Sequence, residues 1–130
     1  MAANSNKFVT DSSFLLCFLL PDEKEIFVEN LFNQFLENEV QFIAPILLPF
    51  EIFNALKTAT LRHRITFKTS RTLGQKFLDL SIELQDVDYL AVQKIANKHE
   101  LTFYDASYLY LAKIEKLPLL TMDSNLQKLA

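Results

Sequence analysis

Between Leu101 and Leu126 the chain changes from a helical period to a short apolar run within a few residues, and a carboxylate stands at each junction. After Asp105 the apolar residues Tyr108, Leu109, Leu111, Ala112 and Ile114 cover one broad helical face, with Lys113, Glu115 and Lys116 near its end. Pro118 cannot continue that helix, so Leu119, Leu120 and Thr121 read as a short buried strand ending at Asp123. Asp105 is thereby a cap or first-turn residue, and Asp123 lies at a strand's carboxyl end. In open parallel α/β sheets ligands gather at that edge, so two acids placed there point to a site.

The same alternation runs through the rest of the chain. Residues 1–6 read as a loose start, and Lys7 to Thr10 as a first strand that delivers Asp11. Ser12 and Ser13 follow with helix-start chemistry, and Phe14 to Leu20 is apolar on all sides, as expected of an enclosed helix broken by Pro21. A second helix is expected from near Glu23, with Phe27, Val28, Leu31, Phe32, Phe35 and Leu36 forming its apolar stripe and acids favouring its start. That stripe suits core burial and equally a surface for a partner. Val40 to Ala44 reads as the second strand. Pro49 is tolerable only in a first turn, which sets Glu51 early in a helix running from near Leu47 to the basic Arg62-His63-Arg64. A helix over Lys68 to Leu78, weakened by Gly74, a strand over Leu80 to Leu84 and a helix over Asp86 to Glu100 lead back to Asp105. Ser124 to Leu129 makes a last helical turn. Strands alternating with helices predict an α/β fold of three layers around a parallel sheet.

Composition removes several functions. Gly74 is the single glycine in 130 residues, so no glycine-rich phosphate loop exists. Cys17 is the single cysteine, which excludes an intrachain disulfide and suits a reducing, cytoplasmic setting. His63 and His99 lack cysteine partners at zinc-binding spacing. The run around Phe14 is preceded by Asp11, followed by Pro21-Asp22-Glu23 and lacks a cleavage motif, so it is no secretion signal. No run approaches membrane-spanning length. The net charge of −3 hides a segregation: Lys57, Arg62, Arg64, Lys68, Arg71 and Lys76 occupy an acid-free stretch, whereas Asp22 to Glu39 holds six acids against Lys24. These blocks are either two solvated helix faces or, in the basic case, a strip for phosphate.

Asp11, Asp105 and Asp123 sit at junctions that face the carboxyl edge of the sheet, and Glu51 opens a helix that could cover it. Gathered carboxylates repel unless some stay protonated or a divalent cation neutralises them. Their hard oxygens select Mg²⁺ or Mn²⁺. Such an ion activates water and steadies the charge that builds on a phosphodiester, which makes hydrolysis of a nucleic-acid backbone the matching chemistry. Each acid also has a plainer role. Asp11, Asp105 and Asp123 could cap helices, and Glu51 could be an exposed first-turn acid. Ser13 and Thr121 could support carboxylates or satisfy nearby backbone. Tyr104 and Tyr108 flank Asp105 and could stack on a base, although helical spacing favours the core for Tyr108.

Phe-Val-Thr-Asp11-Ser-Ser, Pro-Phe-Glu51-Ile-Phe-Asn-Ala-Leu, Leu-Thr-Phe-Tyr-Asp105-Ala-Ser-Tyr-Leu-Tyr-Leu-Ala and Leu-Pro-Leu-Leu-Thr-Met-Asp123 resemble, in order, the four motifs of PIN-domain proteins, with the closest likeness to VapC-type toxins of bacterial toxin–antitoxin pairs. The resemblance spans nearly the whole chain, and the third and fourth motifs are its most specific parts. It implies one PIN-like domain over residues 1–130, a three-layer sandwich with four or five parallel strands. It also implies a Mg²⁺- or Mn²⁺-dependent endoribonuclease in which Asp11, Glu51, Asp105 and Asp123 are the catalytic and metal-binding acids, with Ser13 and Thr121 in support. An RNA substrate, a homodimer and a small antitoxin complete the implied picture, with no membrane. One departure is that the chain stops at Ala130, before the strand that usually follows the fourth motif, leaving a sheet edge open. Two other readings compete. One is a catalytically weak PIN-like module that binds RNA or protein. The other is a phosphatase- or receiver-like domain with a phosphoacceptor aspartate, against which stands the absence of an Asp-x-Asp pair, since Asp11 precedes Ser12 and Ser13.

Overall fold

The computed structural model describes residues 6–130, so the reading of a loose start falls, Asn6 apart, outside the described residues. Its elements follow the order expected from sequence. They are β1 (Lys7–Thr10), α1 (Ser12–Leu19), α2 (Ile26–Leu36), β2 (Gln41–Pro45), α3 (Leu48–Leu61), α4 (Phe67–Asp79), β3 (Glu83–Gln85), α5 (Tyr89–His99), α6 (Phe103–Glu115), β4 (Leu119–Leu120) and α7 (Ser124–Leu129). The strands form one parallel sheet in the order β3-β2-β1-β4. The chain therefore builds the sheet outward from β1 on one side and returns to add β4 on the other. The strand order reverses between β1 and β4, and the crevice beyond their carboxyl ends is where such sheets bind ligands.

Strand periodicity sorts the core into two faces. Phe8, Phe42 and Ala44 point into a cluster with Phe14, Phe18, Phe32 and Leu56, under α1 to α4. Val9 and Ile43 point the other way, against Leu111 and Ala112 of α6. Beyond them Val92 and Ala96 of α5 pack on Ala106. The three-layer α/β sandwich predicted from sequence is the fold observed, with four strands among the described residues. No helix among them is long and apolar enough to cross a membrane.

Some boundaries moved for local reasons. The second helix starts at Ile26 rather than near Glu23, because the intervening acids are engaged elsewhere: Arg64 donates to Asp22 and Glu23 at 2.7–3.1 Å. The third strand shrinks to three residues because Leu80 closes α4 and Ser81 turns with φ 52°. Asp88 caps α5 at Ala91 N, which sets its start at Tyr89. Gly74 is buried against Phe53, whose ring would lie 2.7 Å from an added Cβ, so glycine here permits the close approach of α3 and α4. Helix α2 divides its stripe: Val28 and Phe32 are buried, whereas Ile26, Phe27 and Leu36 are exposed.

Phe32 is the hub of the aromatic layer. It stacks on Phe18 with centroids 3.9 Å apart and rings within 5° of parallel, and it meets Phe42 at 5.2 Å, Phe14 at 5.8 Å and Phe35 at 6.1 Å. Removing so enclosed a ring forfeits both its transfer from water and its packing. Phe32→Ala should destabilise the fold by about 3–5 kcal/mol in urea unfolding, and a loss below about 1 kcal/mol would show that the layer repacks without it.

Candidate active site

Asp11 leaves β1 at the switch point, and its carboxylate is almost completely buried. Burial of an ion is tolerated only with partners, and Asp11 has three. Its Oδ1 accepts from Ser13 Oγ at 2.7 Å and from Phe14 N at 3.0 Å, which caps α1. Its Oδ2 accepts from the Thr121 hydroxyl across the β1–β4 junction. The two hydroxyls continue the network into the last loop. Ser13 Oγ accepts from Met122 N at 2.9 Å, and Thr121 Oγ1 accepts from Asp123 N at 3.0 Å. Asp11 N meanwhile donates to Leu120 O at 3.1 Å. Strand β4 is two residues long, so side-chain hydrogen bonds to Asp11 do much of what a longer ladder would.

Glu51 stands in the first turn of α3, half-buried. Its Oε1 accepts from the Tyr108 hydroxyl at 2.6 Å. Sequence spacing favoured the core for Tyr108, and the ring is indeed enclosed, but its hydroxyl belongs to the site. The missed signal was register: Tyr108 lies three residues after Asp105, on the same helical face. Asp105 occupies the first turn of α6 and is not its cap. Thr102 takes that role by accepting from Asp105 N at 3.0 Å, which leaves the Asp105 carboxylate to the crevice. Asp123 does cap its helix, accepting from Leu126 N at 3.0 Å, and Gln127 Nε2 ties α7 back to Thr121 O at 2.8 Å.

The four acids form one electrostatic group centred on Asp105. Burial raises the Asp11 carboxyl above its ordinary value against the pull of its Thr121, Phe14 and Ser13 hydrogen bonds, and the Asp105 charge raises it further. Burial likewise raises Glu51, whose bonds to Tyr108 and Ser12 oppose the shift while the charges of Asp105 and Asp11 add to it. Asp105 is raised by burial and then by the charge of Asp123. The Tyr108 hydroxyl is pushed far up by burial and by Glu51, so it stays a proton donor. The donors are all carboxylate oxygens, which suits Mg²⁺ or Mn²⁺. Among the described residues no three acid, histidine or cysteine side chains are gathered as a ready cage for one ion.

The basic stretch lies apart from this crevice. Arg64 is bound to Asp22 and Glu23, and the Nζ of Lys57 and Lys76 lie 5.7 and 4.6 Å from the ring centroids of Phe67 and Phe18. Arg71 and Lys76 line a depression of about 590 Å³ with Phe18 and Leu36. It adjoins another, of about 440 Å³, at Val40 and Gln41, where β2 begins. Both lie toward the opposite end of the sheet from the acids. A smaller pocket of about 330 Å³ opens beside Glu51, lined by Leu47, Phe50, Glu51, Asn54 and Tyr104.

A family model for the PIN domain matches residues 8–130, a span that contains all four acids. The chain belongs to the PIN domain family. Proteins of this family are generally nucleases that use divalent metals, so membership supports an enzyme of that broad class. Among solved structures, the crystal structure of PAE2754 from Pyrobaculum aerophilum is similar over 97% of this chain and 86% of that one, with a TM-score of 0.77 and 23% identity. That likeness concerns the PIN fold. No curated protein matches the chain.

The tie between β1 and β4 generates a direct test. Thr121→Val keeps the shape but removes a donor to the Asp11 carboxylate and an acceptor for Asp123 N. It should cost about 1–3 kcal/mol of stability in chemical denaturation, whereas Thr121→Ser should retain most of it. Equal stability of the Val and Ser variants would show that the hydroxyl carries no such role.

Proposed function

We propose that this PIN-domain protein is a metal-dependent endoribonuclease that hydrolyses RNA phosphodiester bonds, with Asp11, Glu51, Asp105 and Asp123 as its catalytic and metal-binding acids. The observation that carries the reading is the hydrogen bonding at the β1–β4 switch point, where Thr121, two residues before Asp123, donates to Asp11, and Tyr108, three residues after Asp105, donates to Glu51 at 2.6 Å. Carboxylates that repel one another without neutralisation cost stability, and a site that receives a cation gives them a use. Mg²⁺ or Mn²⁺ bound there would lower the pKa of a water and stabilise charge on the phosphoryl oxygens.

The chain's own groups have distinct parts in this scheme. Ser13, Thr121 and Phe14 N hold Asp11 in a single orientation, so its position needs no rearrangement when substrate arrives. Tyr108 steadies Glu51 through Oε1, which fixes the direction in which that carboxylate faces the crevice. Asp105 and Asp123 open from the first turn of α6 and the start of α7 onto the same crevice.

The finer parts of the proposal are a toxin role, restraint by a small antitoxin, a homodimer and a cytoplasmic setting. The VapC resemblance supports them, and the exposed Ile26, Phe27 and Leu36 of α2 offer apolar surface for a protein partner. A second reading, a PIN-like module that binds RNA or protein with little or no cleavage, is favoured by the absence of a ready three-ligand cage among the described residues.

Purified protein incubated with structured and unstructured RNAs, in Mg²⁺, Mn²⁺ or chelator and beside Asp105→Asn, separates the two. The nuclease reading expects cleavage that needs the ion and falls at least about a hundredfold in the variant, as loss of a group acting on the transition state does. Folded wild-type protein that binds these RNAs with either ion present and cuts none of them would establish the binding module instead.

A further inference from the structure

The pocket beside Glu51 is unlike the other depressions because a catalytic acid of the proposed site forms part of its wall. Phe50 and Glu51 are consecutive residues of α3, and Tyr104 and Asp105 are consecutive residues of α6. In each pair the acid is half-buried in the crevice while the ring stands in solvent, Phe50 at 80% exposure and Tyr104 at 59%. What sets these two rings apart from other exposed apolar residues is that both line one pocket with Glu51, where a flat ring can cover them. Asn54, one helical turn after Phe50, adds an amide that can both donate and accept.

We propose that Phe50, Tyr104 and Asn54 form a nucleobase subsite that seats an unpaired base of the RNA next to the scissile phosphate. The inference rests on the nuclease reading for the identity of that phosphate. The occupant follows from the chemistry of the walls. Aromatic rings stack on any base, and an amide pairs with a base edge that offers a donor and an acceptor side by side. A base engaged in a duplex presents neither its faces nor its pairing edge, so the pocket selects single-stranded or looped nucleotides. Continuity with the acid crevice matters as much. The pocket wall includes Glu51, so a base seated there brings its own phosphate toward that carboxylate. The subsite would then set where the strand is cut, since the phosphate addressed by the acids is the same at every nucleotide.

The test uses single-stranded RNA oligonucleotides carrying 2-aminopurine or an abasic nucleotide at one position. Affinity and fluorescence are read in chelator, kcat and KM in Mn²⁺, and the oligomeric state by sedimentation. Wild-type protein should quench 2-aminopurine and bind the abasic strand more weakly. Phe50→Ala and Tyr104→Ala should each raise Kd and KM about tenfold and lose the quenching, whereas Tyr104→Phe should behave as wild type. Asn54→Ala should flatten any preference among homopolymers of A, C, G and U. Both rings are exposed, so these variants are expected to melt with the wild type, which circular dichroism checks. Metal-dependent cleavage with unchanged KM and quenching in both Ala variants would overturn the subsite while leaving the nuclease reading intact. Quenching that the Ala variants lose, in a wild type that cuts nothing, would support the subsite and sink the nuclease reading instead. A dimer that dissociates in Phe50→Ala or Tyr104→Ala at unchanged RNA affinity would assign the rings to a second copy of the chain and overturn the proposal. Neither binding nor cleavage by the wild type would overturn both.

Discussion

The buried carboxylate of Asp11 is the constraint on which the rest of the site depends. It sits where β1 ends, caps α1 through Phe14 N and reaches across the sheet's switch point to Thr121. A charged group in that position would be costly without donors, and the donors are supplied by the elements it must hold together: Ser13 from α1 and Thr121 from the end of β4. Strand β4 contributes only Leu119 and Leu120 to the sheet. The chain between β4 and α7 is positioned instead by Ser13 and Thr121, which accept from Met122 N and Asp123 N. One polar network therefore sets the geometry of the first and last motifs together.

The remaining acids are drawn to the same edge by helix geometry. Glu51 and Asp105 each occupy a first turn, where the helix dipole favours a negative charge. Tyr108 connects the two helices by donating to Glu51 from one turn after Asp105. The result is that burial and mutual charge raise Asp11, Glu51 and Asp105 above the ordinary carboxyl range, while hydrogen bonds hold Asp11 and Glu51 in place. Such a combination costs stability, and it is the kind of arrangement on which the proposed active site rests. The basic stretch does not relieve it, because Arg64 neutralises the acidic turn before α2 and Lys76 lies over Phe18, away from the crevice.

The order of elements and the placing of the acids were legible because both rest on local chemistry. Periods of two and 3.6 alternate clearly from Lys7 to Leu129, and Asp11, Glu51, Asp105 and Asp123 follow or open the elements those periods define. What stayed hidden depends on distance in space. Tyr108 looked like core because burial and hydrogen bonding to Glu51 impose the same spacing on it. Asp105 was open between a cap and a first-turn position, and Thr102, three residues earlier, settles it by taking the cap. The start of α2 was misplaced because the acids that would favour a helix there are claimed by Arg64, forty residues away in the chain and adjacent in the fold. Gly74 read as a weakness of α4, and only the ring of Phe53 against it reveals a close helix approach.

The proposed site requires the four acids to act as a single unit that takes a cation, and thermal unfolding tests this without any assumption about substrate. Wild type and Glu51→Gln are melted in chelator and in millimolar Mn²⁺. Glu51 feels the charges of both Asp105 and Asp11, so removing its charge should raise the melting temperature in chelator. Mn²⁺ should raise the wild type by several degrees through binding to the folded state and raise Glu51→Gln by less. Identical melting of both proteins in both conditions would rule the metal site out, because carboxylates that neither repel one another nor bind an ion do not form one.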